Sequence, residues 1–564
     1  MPSNPALRYL PALVVVMLLG PVLAGLSGTL APAFGILPVI GRTQPGLGAF
    51  AALLDWPGLA SAVRLSLVTG LGSTVISLGV VTLLVACWSG TRSFAAFRRV
   101  LSPLLSVPHA AAAFGLAFLI APSGLIVRGL SPWATGWTQP PDLLIVQDPM
   151  GLSLLAGLVV KEVPFLLLMT LAALGQADAT RAETVARSLG HDRPAAWLKA
   201  VFPLVYRQIR LPVLVVLAFS MTVVDVAMIL GPNTPPTLAV QILRWMSDPD
   251  LGMRLQGAAA ATLQLALVLA ALALWWLGER LVARLGRAWV WSGYRRAGGR
   301  VTATLALGLA GMAAAAVLAG LVVLGVWSVA GFWRFPEVWP DAVTWRNWAR
   351  HWPGVAEALA ATMTIAALAT GLALTLAIGC LEAEHRFGLR LRARGQWLLY
   401  LPLLVPQVAF LPGVQTWMLI LGVKGGLAAV VAAHVIFVFP YVFLSLGDPF
   451  RAWDARQATV AHSLGAGPRR VLWAVRLPML LAPVLTAVAV GWAVSVGQYL
   501  PTLLIGGGRV SSVTTEAVAL ASGGDRRAIG VWALVQTALA LVPFALAIGL
   551  PRVLFRNRQG VLHG

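Results

Sequence analysis

Twelve charge-poor apolar runs follow one another along this chain of 564 residues. Each is about 20 residues or more, the length a helix needs to cross a hydrocarbon core of roughly 30 Å. They lie near 10–28, 65–88, 100–121, 151–175, 211–231 and 256–277, then near 301–331, 355–381, 397–421, 427–447, 479–500 and 528–550. Lipid offers no partner to a backbone amide, so a chain built this way must close its hydrogen bonds within helices. The expected fold class is therefore an all-α integral membrane protein with about 12 transmembrane helices. Only 11% of residues are charged and 59% are hydrophobic, whereas about 25% are charged in soluble globular chains. An ordinary soluble enzyme is excluded. The first run, flanked by Arg8, has the look of a signal-peptide core but no convincing small-residue cleavage site, and it reads as a span.

The net charge of +21 raises the question of a nucleic-acid partner. The distribution answers against it. Twelve spans leave both termini on one side, and 28 of the 41 Lys and Arg fall on that side, with 12 in the opposite loops and Lys161 inside a span. The positive-inside rule then places both termini in the cytoplasm. Six arginines, Arg280, Arg284, Arg287, Arg295, Arg296 and Arg300, crowd the segment 278–300. This basic linker divides the chain into halves of six spans, 1–277 and 301–564, and reads as a topology anchor on anionic lipid. Outer loops are rich in tryptophan, including Trp333, Trp339, Trp345, Trp348 and Trp352, as interfacial anchors are. Cys87 and Cys380 both lie in apolar runs and read as packing residues.

The chain repeats itself. Thr184-Val185-Ala186-Arg187-Ser188-Leu189-Gly190 returns as Thr459-Val460-Ala461-His462-Ser463-Leu464-Gly465, six matches in seven at an offset of 275. Thirteen residues beyond each glycine stands a proline, Pro203 or Pro478. Both copies lie in the long cytoplasmic loop between the fourth and fifth spans of their half, 176–210 and 448–478. An even number of spans per half gives the two halves the same orientation, not an inverted one. Locally the pattern describes a small-residue helix, a glycine turn and a second helix met by proline. Ala186 and Ala461 leave room for another surface. Gly190 and Gly465 allow a backbone reversal that a Cβ resists.

This doubled segment resembles the "EAA" loop of permease subunits in binding-protein-dependent ABC importers, in which Glu-Ala-Ala, a glycine and an Ile-x-Leu-Pro follow at fixed spacing. Copy one fits from Ala186 through Gly190 to Phe202-Pro203, and copy two through Gly465 to Leu477-Pro478. Two copies in one chain are similar to the fused permeases of the thiamine and ferric-iron importer type. The stretch from Val224-Asp225-Val226 to Pro232-Asn233-Thr234-Pro235-Pro236 is similar to their YnjC-like branch. The resemblance implies a type I ABC importer permease fold, two copies of a cytoplasmic ATPase docked on Glu183, Ala186, Gly190, Pro203, Ala461, Gly465 and Pro478, and a periplasmic solute-binding protein outside. ATP-Mg would be held by those ATPase subunits and no cofactor by this chain. The family glutamate is replaced by Thr184 and Thr459. Glu183 stands one residue earlier, but Ala458 holds the matching place in copy two, so the halves are expected to dock unequally.

Ionisable residues at membrane depth are costly and mark function. Lys161 and Glu162 interrupt the fourth span and Asp225 the fifth, with Lys161 and Asp225 each 15 residues above the cytoplasmic end of its span. A direct Lys161–Asp225 ion pair, a shared water-filled route, and separate partners on other helices all fit that spacing. His434 and Gln498 occupy related places in the second half, either lining the route or holding helices together. No Gly-Lys-Ser/Thr, His-Glu-x-x-His or Gly-x-Ser-x-Gly occurs, so neither nucleotide binding nor hydrolysis has visible chemistry here. The rival reading is a secondary transporter of 6+6 parallel-repeat architecture, which has no need of a duplicated docking hairpin.

Overall fold

The computed structural model describes residues 5–176, 178–389 and 393–554. Among them the regular structure is helical, apart from two isolated bridges, Leu37 with Arg42 and Ala330 with Val343. Ten helices are long and apolar enough to cross a membrane. In chain order the first seven are Ala6–Ala33, Leu59–Trp88, His109–Leu130, Leu152–Gly175, Arg193–Thr222, Met253–Trp291 and Arg300–Val329. Arg346–Phe387, Leu427–Ala452 and Arg526–Leu554 complete the ten. Two further spans are bent pairs, Trp397–Leu404 with Gln407–Ile420 at 84°, and Pro468–Met479 with Leu481–Val496 at 79°. Counting each bent pair as one span gives twelve, in the expected order.

Their edges differ from the hydropathy reading in informative ways. The expected third span at 100–121 is two helices, Arg92–Leu104 and His109–Ile120, parted where Pro103 and Pro108 remove backbone donors. The expected fifth span at 211–231 stops at Thr222, and a short helix, Asp225–Leu230, starts after the break. The eleventh behaves likewise, ending at Val496 before Leu500–Gly506. The sixth runs on to Trp291, so most of the supposed basic linker is helix and the irregular joint is only 292–299.

The repeat extends well beyond the motif. Leu152–Gln176 and Leu427–Ala452 begin 275 residues apart, as do Arg193–Ala196 and Pro468–Val471, and Asp225–Leu230 and Leu500–Gly506. Even the π-type turns match, Trp197–Val201 with Leu472–Arg476. Proline explains them. Pro203 and Pro478 cannot donate to the carbonyl four residues back and collide with it, and a locally widened turn relieves both problems.

The halves interlock. The first span lies along Gln407–Ile420 of the second half, and the seventh lies along His109–Ile120 of the first. Glycines permit both crossings. Gly25 and Gly28 meet the backbone of Phe410 and Gly413, while a Cβ on Gly115 would stand 2.8 Å from the Cα of Gly320. Tryptophans lock the edges: Trp417 Nε1 donates to the Ala24 carbonyl and Trp88 Nε1 to that of Ala303, both at 2.9 Å. In lipid such association rests on close packing of small residues more than on hydrophobicity. Gly115→Leu and Gly413→Leu are therefore expected to lower stability by about 1–3 kcal/mol each through overpacking. Gly371→Leu, which meets nothing within 4 Å, is the control. Thermal unfolding of the detergent-solubilised protein reads the difference.

Candidate functional site

Four of the breaks in the spans face one place. A cavity of about 260 Å³ lies between the halves. Its walls are the segment 105–109 and its counterpart 402–407, the segment 222–225 and its counterpart 497–500, and side chains of the fourth and tenth spans. Four of the five residues singled out at membrane depth line it: Lys161, Glu162, Asp225 and Gln498. His109, Gln407, Tyr441 and Tyr499 line it too, although the sequence reading did not select them. A signal was available, since Val107-Pro108-His109 and Val405-Pro406-Gln407 each place a polar residue directly after the proline that starts a helix.

Lys161 and Asp225 share this cavity but are not an ion pair. The Lys161 ammonium donates to the carbonyls of Leu104 at 3.3 Å, Leu105 at 3.4 Å and Val107 at 2.6 Å. These carbonyls lie where the third span breaks, and that of Leu104 also accepts from the Val107 N–H. Asp225 opens the short helix Asp225–Leu230, and the backbone N–H of Val226 donates to its carboxylate. A first-turn carboxylate is well placed against the helix dipole. Glu162 faces His109, with Oε1 and Nε2 4.0 Å apart. The remaining candidate, His434, is elsewhere: both ring nitrogens are occupied, Nδ1 with Ser495 Oγ and Nε2 with Thr502 Oγ1, each at 2.9 Å. It is buried and ties the tenth and eleventh spans to the Leu500–Gly506 helix. Its part is interhelical glue. Gln498 sits in the break itself, its Oε1 3.5 Å from Gln407 Nε2 across the cavity wall.

Outside the spans, the two repeated segments are helical hairpins. Helix Ala179–Ser188 turns at Gly190, whose φ is +84°, and helix Arg456–Ser463 turns at Gly465, with φ +81°. Both glycines therefore occupy the left-handed region where a Cβ is strained. Ala186 and Ala461 are buried within their own hairpins, so the surface they admit is the hairpin's second arm. Exposed apolar residues matched by the same offset are Val185 and Leu189 in one copy and Val460 and Leu464 in the other, and the second copy also exposes Trp473. Glu183 is turned inward, 3.7 Å from Arg193 Nε. Its counterpart Ala458 and that of Arg193, Pro468, leave the second hairpin without this pair. Pro203 and Pro478 begin the helices that return to the membrane.

A helical bundle of two interlocked repeats, with a cavity between them and a hairpin on each, is the architecture of a transport permease. The family of binding-protein-dependent transport system inner membrane components matches residues 371–558. Over 514 residues the chain is 33% identical to the inner membrane ABC transporter permease protein YnjC of Escherichia coli K12, covering 90% of this chain and 92% of that one. The chain belongs to this family of ABC importer permeases, which are transport subunits and not enzymes. Partial matches include the putative 2-aminoethylphosphonate transport system permease protein PhnV of Salmonella typhimurium, 27% identical over 39% of this chain and 83% of that protein. The molybdenum transport system permease protein ModB of Mycobacterium tuberculosis is 31% identical over 29% of this chain and 68% of its own. Family membership removes the secondary-transporter reading and places the chain in the inner membrane as a multi-pass protein.

The cavity geometry separates two kinds of residue. Lys161→Met removes the side-chain donor to the carbonyls of Leu104, Leu105 and Val107 and is expected to cost about 2–3 kcal/mol of stability. Asp225→Asn keeps the shape and the backbone contacts and should cost under about 1 kcal/mol. With no bond between them, a double-mutant cycle on thermal unfolding should give a coupling below about 0.5 kcal/mol.

Proposed function

We propose that this chain carries a small solute from a periplasmic binding protein into the cytoplasm through the cavity between its halves. ATP hydrolysis on two copies of a separate ATPase drives the passage. The observation that carries the reading is the pair of matched hairpins, each presenting an unpartnered apolar face, Val185 with Leu189 and Val460 with Leu464. Both halves, 1–277 and 301–564, supply one hairpin to the same side. The cation asymmetry makes that side cytoplasmic, with both termini on it. Nucleotide and Mg²⁺ belong to the ATPase subunits, which lend their closure to the hairpins.

In this reading the hairpins act as rigid levers. Each is joined through a π-type turn to the helix that ends at a wall of the cavity, Arg193–Thr222 in one half and the Pro468–Val496 pair in the other. Displacing a hairpin therefore moves the breaks near Asp225 and Gln498 relative to each other. Lys161, which caps the third span, stays with the fourth.

The left-handed turns give the test. Gly190→Leu or Gly465→Leu should reduce solute-stimulated ATP hydrolysis of the assembled complex by about tenfold or more, since a branched side chain at such φ distorts the hairpin. Insertion of the permease, followed by its detergent-extracted yield, should be unchanged. Normal coupling in both variants would remove the docking assignment.

A further inference from the structure

The irregular joint between the halves does not hang free. It is fastened to the first hairpin. The Asp192 N–H donates to the Arg295 carbonyl at 2.9 Å, and the Asp192 carboxylate accepts from the Ala297 N–H at 3.2 Å while capping the N–H of Ala195 at 2.8 Å. The Lys199 ammonium donates to the Tyr294 carbonyl and lies 4.6 Å above the Trp289 ring. The Arg295 guanidinium reaches over the turn, and a Cβ on Gly190 would stand 3.1 Å from it.

This strap creates a polar groove lined by Thr184, Arg187, His191, Asp192, Arg295 and Arg296 among others. Arg187, Arg295 and Arg296 are exposed. Asp192, the acid among these residues, has its carboxylate taken up by backbone N–H groups. His191 Nδ1 is buried without a partner. The groove is thus strongly cationic and borders the apolar face of Val185 and Leu189.

The second hairpin is not built to hold a strap. At the offset of 275, Asp192 becomes Gly467, Lys199 becomes Ala474 and Arg187 becomes His462. His462 Nδ1 is 2.8 Å from the Ala466 carbonyl within the hairpin. This hairpin is fixed from the other side instead, through Arg476, which donates to Glu382 of the eighth span at 2.8 Å in a buried pair.

We propose that the strap at 292–299 is part of the ATPase docking surface of the first half alone: an acidic segment of the ATPase subunit enters the groove between Arg187, Arg295 and Arg296. The inference rests on the hairpins being the docking elements. It adds that the linker, not only the hairpin, makes the two docking surfaces unequal. An ATPase partner is favoured over lipid headgroups because the groove borders the exposed apolar face of Val185 and Leu189 on the hairpin.

The test uses the full complex, with a photo-crosslinking amino acid placed at Leu189 or at Leu464, both exposed. In the unsubstituted background both positions should crosslink to the ATPase; failure of both would overturn the docking reading itself. Adding Arg295→Glu with Arg296→Glu should lower the yield from position 189 by about fivefold to tenfold, as expected for two exposed charge contacts reversed. The yield from position 464 should not change, and it serves as the control for folding and assembly. Equal loss at both positions, or no loss at 189, would overturn the proposal. So would a loss seen only in anionic-lipid nanodiscs and absent in detergent, which would assign the arginines to headgroups.

Discussion

A backbone carbonyl inside a membrane protein must find a donor, and this structure turns on the few places where the helices do not supply one. The third span breaks at Leu104–Val107, and the Lys161 ammonium gathers the carbonyls there. Irregular backbone at membrane depth is tolerated where protein or a water-filled cavity surrounds it. The breaks near Pro108, Pro406, Val223 and Gln498 meet that condition together, since all line one cavity. The cavity and the breaks are therefore a single feature. Remove the capping lysine and the third span loses the donors that let it bend there.

The repeat gives the bundle its frame, and departures from the repeat give it chemistry. At the common offset, Lys161 answers to Ile436, Glu162 to Phe437 and Asp225 to Leu500. Phe437 and Leu500 line the opposite wall. All three charges consequently belong to the first half, facing a second half that contributes aromatic rings and amides. The hairpins diverge in the same spirit: Glu183 with Arg193, and Asp192 with the linker, exist on one side only. A symmetric scaffold thus carries an asymmetric cavity and asymmetric anchors.

Much of this was legible in the sequence, and the exceptions have physical causes. Apolar runs marked twelve spans because the bilayer sets their length. The glycine turns at 190 and 465 were readable because few other residues accept that backbone angle. Hydropathy averages over a window, so it passed over the short breaks after Thr222 and Val496 and merged two helices into the expected span at 100–121. The Lys161–Asp225 pair failed because spacing along helices fixes depth but not direction, and because backbone carbonyls are acceptors that no side-chain pattern records. His434 was singled out for its polar character at a related place in the second half; Ser495 and Thr502, from two other helices, satisfy it. The segment 278–300 read as a basic loop by charge, whereas its first half is helix and its end is pinned by Asp192. Neither Asp192 nor Lys199 stood out in the sequence, and nothing in their spacing points to residues about a hundred positions away.

If solute passes through the cavity between the halves, that cavity must open to alternate sides of the membrane. Cys87 and Cys380 can be replaced, and a single cysteine introduced at Phe219, which lines the cavity, then exposed to a membrane-impermeant thiol reagent in the reconstituted complex. Labelling should come from one side of the membrane without nucleotide and from the opposite side when ATP is trapped on the ATPase subunits. A cysteine that stays unreactive in both states, or reacts from the same side in both, would contradict it.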